Sequence, residues 1–155
     1  MNESSRAQVH APVPISAPNW MCRILVAAGV YNLLWGTLVV LFPSAPFRWA
    51  RMQPINYPEV WQCLGMIVGV YGMGYLIAAR DPFRHWPIVL IGLLGKLFGP
   101  VGMLWAVLDH RLPAIASWTC VTNDLIWWIP FSLYLYDAWP AFVRDLRVTE
   151  TRTRD

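Results

Sequence analysis

Lysine is all but missing from this chain: among 155 residues there is one, Lys96. Charge of either sign is scarce, at 14% of residues, where a soluble domain carries about 25%. That scarcity excludes a soluble fold with a greasy core, and with no basic patch no nucleic-acid partner is expected. Histidine occurs at His10, His85 and His110, in a terminal tail and in two loops on opposite faces. No two of these can hold one metal, and a haem between helices needs histidines inside them, so neither metal nor haem is expected. The cysteines, Cys22, Cys63 and Cys120, form no CxxC and no metal-ligand spacing. No serine or cysteine nucleophile stands beside a base in the sequence. The alternating pattern of a membrane barrel is also absent.

What is present is apolar. Hydrophobic residues make up 57% of the chain, and ten are tryptophan. Four runs are long enough to span a bilayer, about 20–42, 59–79, 86–108 and 116–139. Backbone groups in lipid must be satisfied within the segment, so each run should be an α-helix. The expected fold is all-α: an integral membrane bundle of four transmembrane helices over residues 20–139. A flexible tail over 1–19 and a polar tail over 140–155 flank it. Pro58 and Pro87 fall where a first helical turn would begin, and Pro43 and Pro140 just past helix ends. Trp20, Trp49, Trp61, Trp86, Trp118 and Trp139 sit near span ends as an aromatic belt.

With four spans both termini lie on one side. That side carries Arg6, Arg23, Arg80, Arg84, Arg144 and Arg147, against Arg48, Arg51 and Arg111 on the other. The positive-inside rule puts both termini in the cytoplasm and makes the chain a multi-pass protein of the cell inner membrane, with the lipid bilayer as its first partner. In the first outer loop Phe47, Trp49, Ala50 and Met52 alternate with Arg48 and Arg51. That reads as a segment lying in the interface, where it would either anchor the loop or lid the outer mouth of the bundle.

Lys96 is the only charge between Trp86 and Leu108, about 15 Å from one end of its run at 1.5 Å rise per residue. A cation at that depth costs on the order of 3 kcal/mol on insertion scales. The acid deep enough to offset it is Asp124, in the next run. Asn123 lies beside Asp124, Asn32 at similar depth in the first run and Gln62 nearer the outer surface of the second. Trp35 lies near Asn32, and Trp127 follows Asp124 by about one turn. These residues are expected to form an outer polar pocket around a buried Lys96–Asp124 ion pair, suited to a lipophilic molecule with a polar head: a quinone, a sterol or hopanoid, or a lipid. No further cofactor is expected. Cys63 and Cys120 fall at similar depth; a disulfide, a pair flanking a quinone and two inert buried thiols all fit that placement.

Lipid supplies little drive for helix association, so small residues must let backbones approach. Gly92, Gly95, Gly99 and Gly102 lie on one stripe of the third run, which is expected to face another helix, either the second run or another protein copy, in a homo-oligomer or a larger membrane complex. Pro100 and Pro130 lie inside spans and free the carbonyls of Lys96 and Ile126.

Three stretches carry a resemblance: Tyr31-Asn32-Leu33-Leu34-Trp35-Gly36, Gly92-Leu93-Leu94-Gly95-Lys96 and Asn123-Asp124-Leu125-Ile126-Trp127-Trp128-Ile129-Pro130-Phe131. In these the chain resembles a group of small bacterial four-helix membrane proteins without assigned function, over most of residues 20–140. Its plan is also similar to that of DoxX-like proteins in helix count and size. Hydroperoxide reduction, attributed to some of that group, needs Pro-x-x-x-Thr-x-x-Cys surroundings that none of the three cysteines has. Three readings fit the whole: a binder of a lipophilic small molecule, a non-catalytic subunit or assembly factor, and an intramembrane isomerase or oxidoreductase using Asp124 as base.

Overall fold

The computed structural model describes residues 17–53 and 55–152, with the backbone alone for residue 141 and residues 144–152. The expected flexible tail, with Arg6 and His10, lies almost wholly outside the described residues. Every regular element among the described residues is helical. Three helices are long and apolar enough to cross a membrane: α1 (Asn19–Leu41), α3 (Pro58–Ala78) and α4 (Trp86–Leu108). Their ends match the expected runs to within one residue. Pro58 and Pro87 stand in the first turns of α3 and α4, where a missing N–H costs nothing. Leu34, Val70, Phe98, Leu104 and Ile129 are more than half exposed. Apolar side chains turned outward on every long helix mark a helical membrane protein, because hydrocarbon is the solvent such a surface tolerates.

Between α1 and α3 lies the short helix α2 (Ala45–Trp49). Phe47 packs edge-on against Trp61 of α3 with ring centroids 5.3 Å apart, while Trp49 is exposed.

The fourth apolar run departs from one uninterrupted helix. It begins with a 3-10 turn, Ala114–Ser117, and continues as α5 (Trp118–Cys120), a π turn (Val121–Leu125) and α6 (Ile126–Arg152). Two local causes act here. The Thr119 hydroxyl donates back to the Ala116 carbonyl at 2.8 Å, a bond that competes with the helix ladder. Pro130 clashes with the carbonyl four residues back, where the π turn hands over to α6. At its far end α6 runs through Pro140 to Arg152, so the helix end expected at Trp139 is not there.

The four long segments pair unequally. α1 and α3 lie in intimate contact, α4 packs on the π turn and α6, and the two pairs touch each other far less. Gly29 and Gly36 of α1 face Gly72 and Gly65 of α3. A Cβ at Gly36 would stand 2.5 Å from the Gly65 carbonyl oxygen, and one at Gly72 would stand 2.8 Å from that of Gly29. Backbone-to-backbone approach through small residues therefore holds this pair.

The expected stripe on α4 behaves differently. A Cβ at Gly95 or Gly102 would meet nothing within 4 Å. Gly92 makes room for the Tyr75 ring, and Gly99 lies against the Asp124 carboxylate. Within the chain, then, α4's glycines admit side chains and open space rather than another backbone.

One end of the bundle is solid. Met21, Leu25 and Ala28 of α1 meet Tyr75 and Ala78 of α3, Val89 and Leu93 of α4, and Phe131, Tyr134 and Ala138 of α6. The buried Tyr134 hydroxyl donates to the Pro82 carbonyl, which ties α6 to the α3–α4 loop. At the other end the four segments do not close.

Candidate functional site

There they enclose a cavity of about 360 Å³. That volume lies within the range of small-ligand sites, about 300–1,000 Å³. Every long segment supplies wall: Asn32 and Trp35 from α1, Trp61 to Tyr75 from α3, Gly92 to Met103 from α4, and Thr119 to Asp124 from the run before α6. Tyr75, seated on Gly92, forms the boundary with the solid core.

Lys96 is 5% exposed and Asp124 7%. Both line the cavity, yet their link is indirect. The Lys96 ammonium donates to the backbone carbonyl of Asn123, and the Asn123 side-chain amide donates to the Asp124 carboxylate at 3.1 Å. Asn123 thus joins the two charges, its carbonyl oxygen having a second lone pair free of the helix ladder. Among the described residues the ion pair in direct contact is Arg111–Asp109, at 2.8 Å on the surface. The direct Lys96–Asp124 ion pair expected from sequence is not formed, because the ammonium is taken up by the Asn123 carbonyl. The π turn that carries Asn123 and Asp124 is a geometry that recurs at functional sites.

Lys96 is held at both ends. Pro100 has no N–H for the Lys96 carbonyl, and the indole N–H of Trp128 takes that place at 3.0 Å. The ammonium also lies 5.9 Å from the centre of the Trp127 ring. Trp128→Phe is expected to lower stability by about 1 kcal/mol, the net worth of one hydrogen bond. Adding Pro100→Ala restores a donor to that carbonyl and should return the loss. Chemical unfolding in mild detergent measures both; a Pro100→Ala addition that deepens the deficit would refute the substitution of one donor for the other.

Of the residues expected at the site, Asn32, Trp35, Lys96, Asn123 and Asp124 line the cavity. Gln62 and Trp127 do not. The Gln62 amide donates to the Val40 carbonyl at 2.7 Å, closing the end of α1. Trp127 is buried behind Lys96 between Tyr31 and Phe131. Trp61, expected in the interfacial belt, is instead a cavity wall, edge-on to Trp35 at 6.0 Å. A signal for this existed in the sequence: Trp61 shares one helical face with Gly65, Val68, Gly72 and Tyr75. All three thiols are free; Cys63 faces outward, while Cys120 is buried beside Asp124 on the cavity wall.

Among the described residues, three buried polar atoms of the cavity lining lack partners, Asn32 Oδ1, Asn123 Oδ1 and the Trp61 indole nitrogen, and the Trp127 indole nitrogen behind Lys96 lacks one too. Native interiors satisfy nearly all such groups, so a cluster of them around one cavity is a request for a polar guest. Among the described residues no three His, Cys, Asp or Glu side chains converge as a metal site would require. No protein-family model, curated protein or solved structure matches this chain.

Proposed function

We propose that this chain is a four-helix, multi-pass protein of the inner membrane, with both termini in the cytoplasm, that binds a lipophilic small molecule in the cavity around Lys96 and Asp124. The run over 116–139 forms the fourth crossing, and the arginines flanking the spans set the orientation. The guest is a quinone, a sterol or hopanoid, or a lipid: a polar head for the amides and the ammonium, and an apolar body for Trp35, Leu64 and Ile67.

The observation that carries this reading is the orphaned Asn32 oxygen. Asn32 is 2% exposed, lines the cavity and has no partner for its side-chain carbonyl. An unpaired buried acceptor costs about 1–3 kcal/mol. A ligand hydroxyl or amide would relieve that cost.

Asn32→Leu tests it, because the near-isosteric change removes the orphan without opening a hole. The variant should fold at least as well as the parent. Its retention of a co-extracted lipid or quinone should fall about tenfold, the equivalent of one lost hydrogen bond. Native mass spectrometry after mild extraction reads both species. A parent protein that carries no guest, or a variant that carries as much as the parent, sinks the reading.

A further inference from the structure

We propose that the guest reaches the cavity sideways, out of the bilayer through a gap between α3 and α4, and that its head is uncharged. The inference rests on the binding reading above and adds the route and the chemical class.

The route follows from residues that belong to two surfaces at once. Leu64 and Ile67 of α3 line the cavity, yet they are 40% and 55% exposed. Gly95 and Gly99 of α4 also line it and are also exposed. Lining residues of a sealed cavity are buried; lining residues this exposed frame an opening. The framing residues are apolar or glycine, and the exposed side chains Met66, Val70, Leu94 and Phe98 on the outer faces of the same two helices are apolar too. They lie well inside helices long enough to cross a membrane. The mouth therefore faces hydrocarbon, not headgroups or water. At Gly95 a Cβ would meet nothing within 4 Å, so the absence of a side chain there keeps the gap clear. The weak contact between the α1–α3 and α4–α6 pairs gives the gap room to widen.

The class follows from counting charge. The lining holds one ammonium, Lys96, and one carboxylate, Asp124, already joined through Asn123. An anionic head would leave a net charge in a low-dielectric site, which is expensive. Among the described residues no arginine lines the cavity to grip a phosphate in the bidentate manner that favours that group. The unpartnered atoms are neutral: two amide oxygens that accept and the Trp61 indole that donates. They match a head with hydroxyl or carbonyl groups on an isoprenoid or polycyclic body.

The test uses the full chain reconstituted in vesicles of phosphatidylethanolamine and phosphatidylglycerol. Ubiquinone-10, diplopterol and diacylglycerol are included as uncharged candidates too insoluble to arrive through water. After re-extraction, native mass spectrometry identifies what is retained. The wild type should keep one of the uncharged lipids. Gly95→Phe, which sets a ring in the mouth from a position where a Cβ meets nothing within 4 Å, should keep about tenfold less, the equivalent of 1.4 kcal/mol. Gly102→Phe, equally unobstructed but off the cavity, should match the wild type. Equal retention by Gly95→Phe and wild type overturns the lateral route. Retention of phospholipid alone overturns the uncharged head. A wild type that keeps nothing fells the binding reading itself, a different failure from the other two.

Discussion

Lys96→Met is expected to cost about 3 kcal/mol of stability and Asp124→Asn about as much, while the double variant loses only about 1 kcal/mol. Each single change leaves one charge alone in a cavity where both residues are almost fully buried. Among the described residues no other ionised side chain lines that cavity to take over the lost partner's role. Removing one member of a buried charge couple is destabilising because the survivor stays desolvated; removing both abolishes the problem. The coupling should persist although no nitrogen–oxygen contact joins the pair, because Asn123 accepts from one and donates to the other. Unfolding by sodium dodecyl sulfate in mixed micelles gives the four stabilities of the cycle. Strictly additive losses would mean that the two charges do not sense each other, and that Asn123 only terminates two separate hydrogen bonds.

Much of this arrangement was legible in the sequence, and the part that was not has a common cause. The ends of α1, α3 and α4 follow from apolar length and from Pro58 and Pro87. Lys96, Asp124, Asn123 and Asn32 could be brought to one level because rise per residue converts sequence position into depth. Depth says nothing about rotation about the helix axis. Trp127 and Gln62 lie at suitable levels but turn away from the cavity, whereas Trp61 turns in. The bridge through Asn123 was hidden for a further reason: its acceptor is a backbone carbonyl, which every residue has. Nor does local pattern announce a π turn, since it arises where hydroxyl back-bonding and a nearby proline disturb the ladder.

The glycines show the same blindness to rotation. The stripe on α4 has the spacing of a helix-packing motif, but within the chain Tyr75 and Asp124 fill the space beside Gly92 and Gly99, and a Cβ at Gly95 or Gly102 would meet nothing within 4 Å. The motif that does pack helices is the plainer one, Gly29 with Gly36 against Gly65 with Gly72. Each couple is seven residues apart, so both members fall on one face of their helix.

Gly36→Leu should therefore be among the most damaging single changes in the chain, lowering stability by about 3 kcal/mol or more. Its Cβ alone would stand 2.5 Å from the Gly65 carbonyl oxygen and 3.0 Å from the Gly69 nitrogen. Both obstacles are backbone, which cannot swing aside as a side chain can. α1 and α3 would have to separate, and with them Asn32 and Trp35 would leave the cavity wall opposite Lys96. Gly102→Leu is the matched control: with nothing within 4 Å of its Cβ, it should leave stability unchanged or raise it by up to about 1 kcal/mol, the helix propensity gained over glycine. Both are read by detergent unfolding and by retention of the co-extracted guest, which Gly36→Leu should lose and Gly102→Leu keep. If Gly36→Leu folds and binds like the parent, the α1–α3 contact does not hold the cavity in shape, and the paired-helix scaffold behind the site is wrong.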